Sequence, residues 1–130
     1  MLERKNSPKG IGVDVVAFSR TEDFYAKHQD SLGKILNPEE QEALKNSRNP
    51  SKLLAYFFSA KEAVFKSLDQ DWLGVDGFKM IKIDFPREEE ALAGASLSGV
   101  MKEKTGGRLH EWHLSFLEVN NTVIAQAVSY

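Results

Sequence analysis

Glu62 and Lys66 stand four residues apart in the stretch FFSAKEAVFKSL, Phe57–Leu68, and Lys61 is the neighbour of Glu62. At that spacing a helix puts Glu62 and Lys66 on one face, where they can meet. Lys61 is turned about 100° away from Glu62. A second carboxylate, Asp14, interrupts the apolar run GIGVDVVAF. Asp is poor in strands, and a valine would be the easier choice there. Two chemistries fit these residues. One is a surface ion pair, worth roughly a few tenths of a kcal/mol. The other is a site for a hard cation holding a phosphate, with the two acids as oxygen ligands and the lysines meeting phosphate charge. Asp14 is the residue that shifts weight to the second reading, because a surface pair on a helix has no need of it.

The elements that would position these groups can be read from periodicity. In GIGVDVVAF, Ile11, Val13 and Val15 alternate with Gly12, Asp14 and Val16, the period of a strand, so Asp14 points to the face opposite Ile11, Val13 and Val15. Thr21 is the capping candidate of a helix over TEDFYAKHQDSLGKIL. Asn37-Pro38-Glu39-Glu40 opens a second helix, with a cap, proline at its first position and acids at the positive dipole end, running to about Lys45. The third helix is expected from near Ser51 to about Leu68. Leu53, Leu54, Phe57, Phe58, Ala60 and Val64 cover much of its circumference, which marks a central helix. DQDWLGVDG reads as a loop, and FKMIKIDF, ASLSG, HEWHLSFLEV and TVIAQAVSY read as strands. A short helix is expected around Val100 to Lys104, before Gly106-Gly107. There is no regular βαβ rhythm, so the expected fold class is α+β, an antiparallel sheet packed on a long central helix.

The whole chain narrows the function classes. At 130 residues it fits one domain, with residues 1–9 a flexible polar segment and 10–130 the domain itself. The formal net charge of -2 argues against nucleic-acid binding. With no cysteine there is no disulfide framework and no thiolate zinc site. No apolar run reaches the roughly 18 residues of a membrane span, and MLERKNSPKG lacks the apolar core of a secretory signal. A soluble cytoplasmic domain is the expectation. His28, His110 and His113 do not form a metal spacing with nearby acids. Trp72 and Trp112 can stack on an adenine, although packing in a core or an interface is the commoner role.

GIGVDVVAFSR, followed some fifty residues later by SAKEAVFKSL, resembles the 4′-phosphopantetheinyl transferases, above all the holo-acyl-carrier-protein synthase type, and is also similar to the transferase domain of fungal fatty acid synthases. The family pattern is G-[IV]-[GD]-[IVL]-D, then [WF]-[STA]-x-K-E-[AS]-x-x-K. Gly10, Gly12, Val13 and Asp14 match the first part, and Ser59, Ala60, Lys61, Glu62, Ala63 and Lys66 the second. LGKILNPEEQEAL is similar to the family's F-x-x-R-x-[LF]-T-x-x-E segment, with Lys34 where Arg is usual. HLSFLEVNNTVIAQAV resembles its final hairpin. The likeness runs from Gly10 to Tyr130.

The resemblance implies transfer of the phosphopantetheine arm of coenzyme A to a serine of an acyl carrier protein, as in fatty acid biosynthesis. It implies magnesium on Asp14 and Glu62, with Glu62 and Lys66 catalytic. It implies coenzyme A held by Lys61, Lys66 and His113, and the carrier protein met by Arg20. It also implies a homotrimer with each active site between neighbours. The alternative is a diverged, non-catalytic relative that docks a carrier protein or coenzyme A without transfer. Its grounds are the departures from the pattern. Val16 and Ala17 stand where many relatives carry an acid, and Phe57 stands where bacterial synthases carry an arginine. Leu68-Asp69 replaces Leu-Gly, and Asp69, Asp71 and Asp76 bring acids toward the expected phosphate site. The second tail histidine is replaced near Leu117-Glu118.

Overall fold

The structure is a computed structural model that describes residues 7–68, 77–86, 92–102 and 109–130. Strand β1 (Gly10–Ala17) leads directly into helix α1 (Phe18–Lys27) and a 3₁₀ helix (Gln29–Lys34). Helices α2 (Pro38–Lys45), α3 (Pro50–Ser67) and the four-residue α4 (Gly77–Met80) follow, then strands β2 (Ser96–Lys102), β3 (Leu109–Val119) and β4 (Thr122–Ser129). The four strands form one antiparallel sheet in the order β1-β4-β3-β2. Asn120 and Asn121 join β3 to β4 with φ of 50° and 60°. A two-residue hairpin turn needs positive φ at both positions, and Asn tolerates it best after Gly.

Helix α3 lies across the inner face of the sheet and makes the core. Leu54, Ala60, Ala63 and Val64 are fully buried, as are Leu114, Val123, Ala125 and Ala127 from the strands below. The contact is closest over β1. A Cβ on Gly12 would strike the carbonyl oxygen of Ala63, and one on Gly10 would strike that of Ser67. In register beside them on β4 are Ala127, opposite Gly12, and Ala125, opposite Asp14. Small residues on two neighbouring strands therefore let the helix backbone settle onto the sheet. The Ser129 hydroxyl fixes the end of the helix by donating to Ser67 O at 2.6 Å.

This packing decides which face of β1 is inside. Gly12, Asp14 and Val16 face α3, whereas Ile11, Val13 and Val15 are exposed on the outer face. Leu117 and Val119 on β3 and Val100 on β2 are exposed as well. Val15, Ile124 and Leu117 are aligned across three strands, so the outer face carries an apolar stripe.

Several local expectations are corrected. Residues 78–85 are not a strand: α4 and an irregular segment occupy them, because Lys61 binds two of their carbonyls and no sheet edge receives them. The expected helix at Val100–Lys104 is overruled through Lys102 by pairing of β2 with β3; residues 103–104 lie outside the described residues. Thr21 is not a cap: α1 starts at Phe18, and the buried Thr21 hydroxyl donates to Ser51 O at 2.8 Å, tying α1 to α3. Asn37 does cap α2, in a reciprocal box with Glu40. The glycines expected at 106 and 107, most of the DQDWLGVDG loop and Trp72 lie outside the described residues.

Candidate active site

Asp14 sits in the middle of β1 on the face that α3 covers, and Glu62 and Lys66 sit one turn apart on α3. The Lys66 ammonium donates to Asp14 Oδ1 at 3.1 Å and to Val13 O at 3.2 Å. Side-chain exposure is 47% for Lys66 and 17% for Asp14, so the pair lies at the margin of the helix–strand contact. Burial lifts the Glu62 carboxyl above its ordinary value of 4.5; the Asp14 charge pushes the same way, and Lys66 and Arg20 pull it back. These couplings put Asp14, Glu62, Lys66 and Arg20 in one electrostatic cluster. Arg20 reaches it from the first turn of α1, exposed to solvent. The close approach at Gly12 brings a strand acid and a helix acid together.

Lys61 belongs elsewhere, contrary to the expectation that it holds phosphate. It is 1% exposed and pairs at 2.8 Å with Glu40, itself 3% exposed. Its ammonium also donates to Phe78 O at 2.7 Å and Ile81 O at 2.6 Å. All three N–H donors are thus spent inside the protein. Glu40 Oε1 accepts from Asn37 N at 2.9 Å, and Oε2 from Ile83 N at 2.8 Å. Burial lowers the Lys61 pKa, and the Glu40 charge opposes that shift. The network binds α2, α3 and residues 78–83 to one another. At the start of α2 the sequence shows Glu40 only as an acid at the helix dipole. The signal for its further role is that a lysine in so apolar a helix needs a buried counter-ion.

With this geometry in place, the chain can be set beside known proteins. The model of the 4′-phosphopantetheinyl transferase superfamily matches residues 10–127. The chain belongs to this superfamily. It is 35% identical over 122 residues to a holo-[acyl-carrier-protein] synthase of Clostridium kluyveri, covering 92% of this chain and 87% of that one. The crystal structure of the Neisseria meningitidis holo-[acyl-carrier-protein] synthase has the same fold, with a TM-score of 0.63 at 22% identity, covering 95% of this chain and 99% of that one. The Chronobacterium ammoniagenes ACPS–CoA complex matches with a TM-score of 0.54 at 18% identity, over 92% of this chain and 95% of that one.

The superfamily's tail pattern meets this fold unevenly. His113 lies on the outer face of the sheet, separated from β1 by β4, and the single chain does not bring it to Asp14 and Glu62. Its ring is held by the Ser96 hydroxyl at 2.7 Å and the Ser98 hydroxyl at 2.9 Å. Glu118, near the place of the second tail histidine, turns inward: it accepts from the Tyr56 hydroxyl at 2.6 Å and pairs with Lys52 at 3.3 Å. Burial, then that bond, raises the Tyr56 pKa. Phe57, where bacterial members carry arginine, is buried and packs edge-on against Phe85 at 5.0 Å. Trp112 is buried against Gly99, so its ring is a core group and not a free platform for an adenine.

Among the described residues no three His, Cys, Asp or Glu side chains gather into a metal cage. The donor set that does occur, two carboxylates on facing elements, suits magnesium, which takes one or two protein acids and completes its shell with waters and substrate phosphates. Asp14 and Glu62 are the residues that would hold it.

Proposed function

We propose that this chain transfers the 4′-phosphopantetheine arm of coenzyme A to a serine of an acyl carrier protein, with Asp14 and Glu62 holding magnesium. What carries the reading is the convergence of Asp14, Glu62 and Lys66 at one helix–strand contact, in a chain whose relatives are named holo-[acyl-carrier-protein] synthase. The carrier serine oxygen attacks the β-phosphorus of the diphosphate, the bond to the bridging oxygen breaks, and adenosine 3′,5′-bisphosphate leaves. Magnesium supplies the positive charge that lets a diphosphate approach two carboxylates. Glu62 takes the serine proton. Lys66, half-exposed, turns its ammonium to the leaving phosphate oxygens. Arg20, exposed beside Glu62, meets the acidic carrier protein. The backbone of β1 and α3 fixes these groups before substrate arrives, which is where most of the rate of a phosphoryl transfer comes from.

We further propose that residues 10–130 act as one unit in a homotrimer, with coenzyme A bound between copies. The exposed apolar stripe on the outer face of the sheet supports this, since large apolar surface on a soluble protein marks an interface. His113 lies on that face, so a neighbouring copy is what would bring it to coenzyme A. A cytoplasmic location agrees with the lack of cysteine and with the described helices, none of which is long and apolar enough to cross a membrane.

The test is incubation with coenzyme A, magnesium and acyl carrier protein, read by mass spectrometry of the carrier. The expected result is a gain of one phosphopantetheine arm on the serine. Tight coenzyme A binding with no gain on any carrier would replace transfer by docking.

A further inference from the structure

The geometry points to a second role for Lys66, resting on the magnesium reading above: it is the cation that holds Asp14 while the metal is away, and it gives up Asp14 when the metal arrives. The Asp14 carboxylate is mostly buried at the β1–α3 contact, in register beside Ala125, with a second acid, Glu62, close by. Two carboxylates facing a partly dry contact repel each other and are costly unless a cation answers them. Lys66 answers with one positive charge, 3.1 Å from Asp14 Oδ1, and is steadied by Val13 O at 3.2 Å. It does so from the last turn of α3, where the helix dipole favours a cation.

A divalent ion needs the same carboxylate. Binding is therefore an exchange in which the ion takes the place of Lys66 at Asp14. The lysine arm is half-exposed and its two bonds lie at the solvent margin, unlike Lys61 on the same helix, whose every donor is bound inside the protein. The ammonium released from Asp14 is then available to a diphosphate. Two consequences follow. Lys66 weakens metal binding in the absence of coenzyme A, because it competes for Asp14. It also couples the two ligands, since metal frees the group that coenzyme A requires.

Manganese(II) is the probe, with free ion counted by electron paramagnetic resonance and no turnover needed. Titrations would compare the unaltered chain with Lys66→Met, Lys66→Arg and Asp14→Asn, without and with saturating coenzyme A. Lys66→Met should bind manganese about threefold more tightly than the unaltered chain when coenzyme A is absent, the size of a partly exposed ion pair. Coenzyme A should raise manganese affinity less in Lys66→Met than in the unaltered chain, and Lys66→Arg should behave as the unaltered chain does. Equal or weaker manganese binding by Lys66→Met, with binding still lost in Asp14→Asn, would overturn the place-holder role and leave the metal site standing. No manganese binding by the unaltered chain under either condition would remove the magnesium reading, and the exchange with it. Circular dichroism on each variant separates a loss of binding from a loss of fold.

Discussion

Lys61 and Lys66 lie five positions apart on one helix and meet opposite fates. Lys61 is sealed in a buried knot with Glu40 and two backbone carbonyls. Lys66 stands at the edge of the sheet contact with nearly half its side chain in solvent, paired with Asp14 and near Glu62. A glance at KEAVFK gives both the same chemistry. What separates them is the helix face: 61 points at α2 and residues 78–83, and 66 points at β1. A buried ammonium with three fixed acceptors cannot be lent to a substrate, because each bond it left would be a buried unpaired group. An exposed one, weakly held, can.

The sharpest way to break this contrast is to truncate each lysine. Lys61→Met should cost about 3–5 kcal/mol of stability, because Glu40 is left charged and buried without its counter-ion. A denaturant melt reads it, and any soluble protein that survives should keep transfer activity. A melt unchanged within error would show that Lys61 is not structural. Lys66→Met should do the reverse, lowering the transfer rate by about a hundredfold, the usual loss for one charge-stabilising group, with a loss of stability much smaller than that of Lys61→Met, as suits a partly exposed pair.

The contact that places Asp14 can be tested next. Gly12→Ala puts a methyl against Ala63 O. The strand must back away, at about 1–3 kcal/mol. Manganese affinity should fall in the folded variant as the two carboxylates separate. A variant with normal metal affinity would mean that the glycine serves packing alone.

A smaller effect concerns Glu62. Its pKa in the fold is raised above 4.5 by burial and Asp14, so the folded state prefers the protonated form. The contribution is present below the unfolded pKa and is lost as pH rises through the folded value. At neutral pH the ionised Glu62 therefore strains the fold. Glu62→Gln should raise the melting temperature near neutral pH and leave it nearly unchanged well below 4.5, while ending transfer. A variant no more stable at neutral pH would deny that the acid pair is held against its own repulsion. At the bottom of the scale, Lys27 pairs with Asp23 at 2.9 Å, with 66% and 62% of the side chains exposed. Lys27→Ala should leave the denaturant melt unchanged within error, setting the baseline of an ion pair in water.

Much of the fold was legible. α2 announces itself by the Asn-Pro start at 37–38, α3 by its apolar circumference, and β1, β3 and β4 by alternation, because caps and periods are local properties. FKMIKIDF misled because its alternation is that of a strand, while Lys61 and Glu40, far off in sequence, claim its backbone groups. Thr21 misled because β1 runs straight into α1, leaving the hydroxyl inside the helix. Of the site residues, spacing put Glu62 and Lys66 on one face and opposed Asp14 to the valines. It had no means of telling that Arg20 acts on Glu62, since that contact joins α1 to α3.

By itself the sequence determined most of the elements, the family and the presence of two acids and a lysine in motifs of fixed spacing, all of which depend on neighbours along the chain. The tertiary structure alone decided which face of β1 is inside. The more apolar face of that strand is the exposed one, because α3 approaches so closely at positions 10 and 12 that only glycine fits beneath it there. It also decided which lysine is free. Burial and hydrogen-bond saturation belong to the packed arrangement of α2, α3 and residues 78–83, and no spacing in KEAVFK encodes them.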